Sequence, residues 1–504
     1  MSSLRQTAIE SKSEEIYKRL ENLVEEVQKQ GCSRPPAHHV ELHIFKSLLA
    51  LGLHIMELFF ISCGQGYLGK NITLESGQKL RCLNQNKVKK YRSVFGVLKI
   101  RRAIYGRRAG QKCEYAEIDV RLQLPDHKDS YLLQGWQTQL CSQMPFSKGI
   151  AFLDMMLDHK ASTHTITRQV QSCARSARAF EAEKPAVPKA KEDEIIVSSA
   201  DGKGVPMRHG KKQMALVGAS YAIAPYPRTK EQILLALFEQ TGDGSALDKQ
   251  LCEASKRAAE NDQSRPAPVA KIVRASLLRD EKGKSAPANK EIFDGLEKEC
   301  CQRDETGQRT HVMIADGQKI LWEEGQKRFG EKSNYVEILD IIHVAEYIWK
   351  AATILQKKPE RQRAIAWVAL NEILSGRTCN AIHLIEFAYE YCNLTAKKRE
   401  KLNKINTYLR NNAARMKYDQ YLAAGYPIAS GVIEGACRHV VKDRMELSGM
   451  RWTQKGAQNI LSLRCISINE QWEDYMEFHI KQETNRLYQN RADNDNIKIL
   501  QTVA

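Results

Sequence analysis

Glu194-Ile195-Ile196-Val197-Ser198-Ser199-Ala200-Asp201-Gly202-Lys203-Gly204 passes from an apolar run straight into an acid and a glycine. The run is short, β-branched at its start and without helical spacing, so it predicts a buried strand ending at Ala200. A carboxylate placed there, followed by glycine, stands at the rim of a sheet where small backbone lets a ligand approach. Gln213 to Ile223 predicts a second strand and a hairpin with the first. Thr310 to Ala315 then repeats the device and ends in Asp316-Gly317. A third such strand, Tyr335 to Leu339, ends in Asp340, three residues before His343. Strands separated by helix-length intervals make an α/β fold the expectation.

From Val344 to about Ala424 the pattern is helical. After Gly425-Tyr426-Pro427 a further helix is expected with Ser430 as its N-cap. Glu434, Arg438 and Lys442, at i, i+4 and i+8, share roughly one face of that helix, while Ile433, Cys437, Val440 and Val441 pack inward. Asp201, Asp316 and Glu434 are thus three hard oxygen ligands expected at one sheet rim. Such a set suits two Mg²⁺ ions, with Mn²⁺ a substitute, and phosphodiester chemistry by in-line displacement. Each Asp-Gly alone is as well explained by a turn; the ordered set of three is not.

The whole chain supports an anionic substrate. Its 504 residues carry 77 Lys and Arg against 60 Asp and Glu, a formal net charge of +17, while 42% of residues are hydrophobic. That length implies several domains, and the charge biases the partner toward nucleic acid or an anionic membrane. The apolar stretch Phe45 to Cys63 carries Lys46, His54 and Glu57, and is read as a core helix too short and interrupted to span a bilayer. No cationic lead and apolar run opens the sequence, which predicts an intracellular chain. Thirteen cysteines without a C-x-x-C pair fit reduced thiols.

Composition divides the chain into a helical region (1–78), a basic β-module (79–126), a helical region (127–182), a Pro, Ala and charge-rich linker (183–193), a first catalytic part (194–343) with a polar insertion (241–309), a helical insertion (344–424), a second catalytic part with the Glu helix (425–470) and a C-terminal tail (471–504). Residues 79–121 hold thirteen basic and three acidic side chains, which makes Lys89, Lys90, Arg101 and Arg102 leading DNA contacts. On the helix expected at 162–175, Thr165, Arg168, Gln169, Ser172 and Arg175 share a polar face, as a groove-reading helix requires; an ordinary surface helix has one as well. Arg444 and Arg451 are candidates for holding phosphates, and Trp452 for stacking on an unpaired base, although such a Trp more often packs in the fold. Arg438 and Lys442 belong to the same expected DNA face.

The strings Ser-Ala-Asp-Gly-Lys-Gly-Val-Pro-Met (199–207), Ala-Asp-Gly (315–317), Gly-Val-Ile-Glu-Gly-Ala-Cys-Arg-His-Val-Val-Lys-Asp-Arg-Met-Glu (431–446) and Ser-Gly-Met-Arg-Trp (448–452) resemble the ISKra-type insertion-sequence transposases of the DDE, RNase H-like superfamily, near the Mutator-like group. The resemblance runs from the Phe95 to Tyr105 segment onward. It implies an RNase H-like catalytic domain with a helical insertion between the second Asp and the Glu, and Asp201, Asp316 and Glu434 as a metal-binding triad. Asp340-x-x-His343 resembles a motif of Mutator-like relatives and is expected to support the site, with Asp340 the rival of Asp316 as second ligand. Further implications are double-stranded DNA partners (terminal inverted repeats and target), a homodimer or larger assembly on DNA, no membrane, and a cytoplasmic, nucleoid-associated location in a bacterium. Two alternatives remain at this level: an RNase H-like structure-specific nuclease or resolvase with the same triad, and a catalytically idle DNA-binding protein derived from a transposase.

Overall fold

The computed structural model describes residues 3–74, 77–108, 110, 113–184, 186–191, 193–239, 265–278, 288–332, 334–392 and 394–489. Expectations that fall on 240–264 and 279–287 of the polar insertion, and on 490–504 of the tail, lie outside these residues. The chain divides into two compact units, Met1–Glu183 with Glu470–Ala504, and Lys184–Asn469.

In the first unit, α1 (Ser3–Ser33) and α2 (Ala37–Cys63) form a helical hairpin. Lys12 reaches Glu57 at 2.6 Å and Glu26 reaches His43 at 3.0 Å, so the two helices run antiparallel. The stretch read as a core helix is a longer element than expected, and no residue of α2 is buried. Among the described residues it is the one helix long and apolar enough, by length and composition, to cross a membrane. Strands β1 (Asn71–Thr73), β2 (Lys79–Ser93) and β3 (Gly96–Gly106) follow as an antiparallel sheet. Ser130 and Ser162 cap the helices Tyr131–Gln143 and Thr163–Cys173, accepting from the amides of Leu133 and Thr165 as small hydroxyl residues do at helix starts. The expected tail is in large part a helix, Trp472–Thr484. Its Tyr475 ring lies 5.3 Å from Phe180, and its fully buried His479 is 3.0 Å from the Ser176 hydroxyl. Polar residues dominate that stretch, which hid the small apolar stripe that buries it.

The second unit is built on a five-stranded sheet. Its strands are β4 (Ile195–Val205), β5 (Gln213–Ile223), β6 (Val269–Leu277), β7 (His311–Ala315) and β8 (Tyr335–Leu339), in the order β6-β5-β4-β7-β8. β4 and β5 form the expected antiparallel hairpin, β6 is antiparallel to β5, and β7 and β8 run parallel to β4. The fold is therefore α/β with a mixed sheet. Two boundaries differ from the sequence reading. β4 does not stop at Ala200 but continues through Asp201 to Val205, because β5 pairs with it over its whole length while β7 pairs only as far as Ser199. The polar insertion is not external to the sheet: it supplies β6 and the helix Ala288–Arg303, whose Ile292, Phe293 and Leu296 are buried.

The linker is likewise packed. Lys184, Val187 and Ala190 are buried, Lys184 Nζ lies 3.4 Å from Glu299, and the Ala190 amide donates to the Arg303 carbonyl. Glu299 also accepts from Arg274 and the Ser220 hydroxyl, so this buried charge is fully paired, as burial requires. The helices Ile341–Leu355, Pro359–Leu374, Thr378–Tyr391, Ala396–Asn412 and Tyr418–Ala423 fill the interval read as helical. Their Ile348, Leu370, Ile385 and Leu409 join Val197, Val312 and Ile338 of the sheet in one continuous core. This helical stretch therefore shares the sheet's core.

Candidate active site

Register brings the acids together. Ser199 pairs with Ile314 between β4 and β7, and Ala315 pairs with Leu339 between β7 and β8. Carrying both registers forward sets Asp201, Asp316 and Asp340 in a row across three adjacent parallel strands, Asp201 within β4 and the other two just past the ends of β7 and β8. Side chains in register on parallel strands share a face, so the row is a property of the pairing. Gly317 adopts φ +93°, and a Cβ there would meet the Tyr408 ring at 2.8 Å; the residue after Asp316 turns away from the sheet in a conformation that favours glycine. Gly202 has no such need, since β4 runs straight on. The two Asp-Gly pairs thus look alike in sequence and do different things.

Asp201 is half-buried. Burial pushes its carboxyl above the ordinary aspartate range and the Asp316 charge acts the same way, while the Gly202 amide at 2.6 Å, the Cys437 thiol at 3.5 Å and His343 pull against them. Asp316 accepts from the Gln318 amide and side chain, at 3.1 and 3.0 Å, and its main-chain carbonyl accepts from the Tyr408 hydroxyl.

Asp340 is fully buried at the N-cap of the helix Ile341–Leu355. Its Oδ1 accepts from the amides of Ile342 (3.1 Å) and Ser430 (3.2 Å), and its Oδ2 from His343 Nδ1 (2.7 Å) and the Ser430 hydroxyl (2.7 Å). A carboxylate offers about four lone-pair sites, and all four are taken. His343, bound to Asp340 and facing Asp316, is raised to about 9 against the opposing effect of burial, so it is an imidazolium at neutral pH. Ser430 stands at the N-cap position of the helix Gly431–Cys437, as expected, but makes no side-chain cap bond because its hydroxyl goes to Asp340.

Glu434 is exposed in the first turn of that helix, one turn before the Cys437 that touches Asp201. One ligand atom each from Asp340, His343 and Glu434 lies within 4.8 Å of the others. That trio is a poor cage for a hard cation: Asp340 has no free lone pair and His343 Nδ1 is engaged. Mg²⁺ takes oxygen ligands, and Asp201, Asp316 and Glu434 accept fewer hydrogen bonds than Asp340, which leaves them lone pairs to offer. Asp201 and Asp316 are like charges in register on neighbouring strands, which a divalent cation would relieve, but among the described residues Asp201, Asp316 and Glu434 are not drawn together as closely as Asp340, His343 and Glu434 are. Asp340 and His343 are tied to each other, and Asp340 to Ser430.

Beyond Cys437 the helix widens into a π-turn, Arg438–Lys442. Arg438 and Lys442 project to solvent with Glu434, and Arg451 is exposed as well. Arg444 and Trp452 are corrections. Arg444 is 1% exposed and its guanidinium lies 4.9 Å over the Trp452 ring, whose indole N–H donates to the Met445 carbonyl. Burying an aromatic ring and satisfying its N–H is the commoner use of Trp, and neither residue faces a ligand.

In the first unit the expected DNA contacts separate by strand alternation. Lys90 pairs with Lys99 and Val88 with Arg101, and all four are exposed on one face of the β2–β3 ribbon. Lys89 and Arg102 lie on the other face and turn to Asp119; Lys89 also donates to the Pro125 carbonyl at 2.6 Å, and burial together with Arg102 lowers its ammonium to about 8. They are structural ions. Gln169 is buried and donates to Asp129, and Ser172 is buried too, so the polar face read on that helix is partly interior; Arg168 stays exposed.

Scanned against protein-family models the chain matches none, and a search of curated proteins returns no match. Tyr408, Ser430 and Cys437 were not legible as site residues, since each acts through a contact that spans more than eighty positions.

Proposed function

We propose that this chain is a Mg²⁺-dependent DNA transposase of the insertion-sequence type, binding the terminal inverted repeats of its element and carrying out cleavage and strand transfer. The observation that carries the reading is the row of carboxylates set by the β4–β7–β8 register, with Glu434 arriving from the helix whose Cys437 touches Asp201. A sheet in which only the second strand is reversed, bearing one acid within its first strand and one just past its fourth, supports an RNase H-like catalytic domain. Bound between Asp201, Asp316 and Glu434, Mg²⁺ would supply Lewis-acid stabilisation of phosphoryl oxygens and a lowered pKa for water. The chain's own residues do the rest. Asp340 fixes His343 and Ser430, Tyr408 fixes the Asp316 turn, and Arg438, Lys442 and Arg451 present cations to the phosphates beside the acids.

The test uses purified protein and a labelled duplex carrying the element end. Asp201→Ala, Asp316→Ala and Glu434→Ala each abolish cleavage while end binding stays within about twofold. Mg²⁺ raises the melting temperature of the wild type and not of Asp201→Asn, which already relieves the crowded charge. Near-normal cleavage by all three alanine variants sinks the assignment. Cleavage without joining to a target assigns the site to a resolvase-like nuclease instead.

A further inference from the structure

Among the described residues α2 is the one helix long and apolar enough to cross a membrane, yet no residue of it is fully buried. α1 is tied to it through Lys12, which contacts His54 at 2.7 Å and Glu57 at 2.6 Å, so the side of α2 that α1 holds carries polar residues. At 100° per residue, Phe45, Leu48, Gly52, Ile55 and Phe59 lie on the opposite side. They follow one another in steps of three and four residues, the spacing of a seam that receives another helix. At Gly52 the stripe is completed from elsewhere. A Cβ there would sit 2.6 Å from the Phe95 ring, and Phe95, at the turn between β2 and β3, fills the gap that the glycine leaves. Phe45, Leu48, Ile55, Phe59, Phe95 and Val97 are between 38% and 56% exposed. At the hairpin's loop end the stripe opens into a cleft between α1 and α2, lined by Val27, Val40 and Ile44.

We propose that this stripe is the contact between two copies of the chain, α2 of one packing against α2 of the other. Three observations select this occupant. The first is the spacing, which suits a facing helix. The second is charge. Residues 3–63 carry seven Lys and Arg against eight Glu, in a chain whose net charge is +17. A helix that lies on an anionic membrane, like a surface that grips DNA, is rich in cations, and this hairpin has no such excess. The third is area. Six large side chains about half exposed offer on the order of 600 Å² of apolar surface per copy, near the upper limit for a monomer's largest patch and close to the ~800 Å² that each partner contributes to a stable interface. A twofold contact uses the same patch on both partners, and Tyr17, Leu20 and Val24 of α1, exposed at the same spacing, extend it. The inference stands on the hairpin alone and does not depend on the nuclease reading.

Full-length protein without DNA is expected to sediment at twice the mass of one chain at micromolar concentration. Phe45→Glu with Ile55→Glu should halve that mass, whereas Phe45→Leu with Ile55→Leu should leave it unchanged, with matching circular-dichroism melts as the check on folding. Benzoylphenylalanine placed at Phe59 of otherwise wild-type protein should give a covalent dimer on irradiation, a readout independent of whether the glutamate variant folds. A wild type that stays monomeric to about 100 µM overturns the proposal, as does a dimer unaffected by the glutamate pair in a folded variant, or a Phe59 probe that never cross-links. Flotation of monomeric wild type with phosphatidylcholine vesicles, lost in the glutamate variant, overturns it in favour of a lipid surface.

Discussion

The Tyr408 hydroxyl donates to the main-chain carbonyl of Asp316 at 2.8 Å, across 92 positions of sequence. The same ring covers Gly317 and stacks on Tyr347 with centroids 4.1 Å apart. A side chain from the helical stretch thus fixes the turn that presents the second carboxylate.

Removing the hydroxyl should therefore cost little stability and more activity. Tyr408→Phe is expected to lower unfolding free energy by about 1 kcal/mol, the net worth of a typical hydrogen bond, and to reduce metal-dependent cleavage roughly tenfold if Asp316 shifts by an ångström. Gly317→Ala should cost about 1–3 kcal/mol, because the backbone there is in the left-handed region and the Tyr408 ring occupies the space. Chemical denaturation of both variants, beside single-turnover cleavage, checks the pair of effects.

His343 sets a pH window for the metal-free protein. Its folded pKa, about 9, lies above the ordinary histidine value of 6.5, chiefly through the bond to Asp340. The folded state therefore binds the proton more tightly, and the stabilisation is fully present below about pH 6.5 and lost as pH rises through about 9. For a half-buried ring, screening leaves about 1–2 kcal/mol of this. Denaturation midpoints of the wild type should fall between pH 6.5 and 9.5, and His343→Asn should flatten that fall; parallel curves would remove the imidazolium from the account.

The two faces of the β2–β3 ribbon should respond oppositely to neutralisation. Lys90 and Lys99 are directly opposed like charges, an arrangement that is unfavourable until a polyanion arrives. Lys90→Ala, Lys99→Ala and Arg101→Ala should leave melting temperature within about 2 °C and reduce the slope of log K against log salt by about 0.9 for each DNA phosphate that the variant no longer neutralises. Lys89→Ala and Arg102→Ala should instead lower stability by about 1–3 kcal/mol, by stranding Asp119. Fluorescence anisotropy across a salt series separates the two groups.

What the sequence made legible followed from local pattern. β4, β5, β7 and β8 each contain a short apolar run, and Asp316 and Asp340 stand where those of β7 and β8 give out, while β4 carries on through Asp201. The β2–β3 ribbon announced its charge, but alternation decides which cation faces water, and alternation is only as good as the register; a bulge between Cys82 and Lys87 resets it. β6 escapes a sequence reading because it is an edge strand bearing Lys271 and Arg274 between polar flanks. Arg444, Trp452 and Gln169 mislead for a shared reason. A polar or aromatic side chain reads as available until its buried partner is known, and those partners are a carbonyl, a ring or a carboxylate elsewhere in the chain. Asp340 shows the converse: its spacing to His343 is visible in the sequence, but its saturation needs Ser430, ninety residues on.

The continuity of apolar packing from Val197 through Ile348 to Leu409 has a consequence for how this molecule can be shortened. Residues 344–424 cannot be deleted to leave the sheet and its acids intact, because Tyr408 and Tyr418, which brace the ends of β7 and β8, would leave with them.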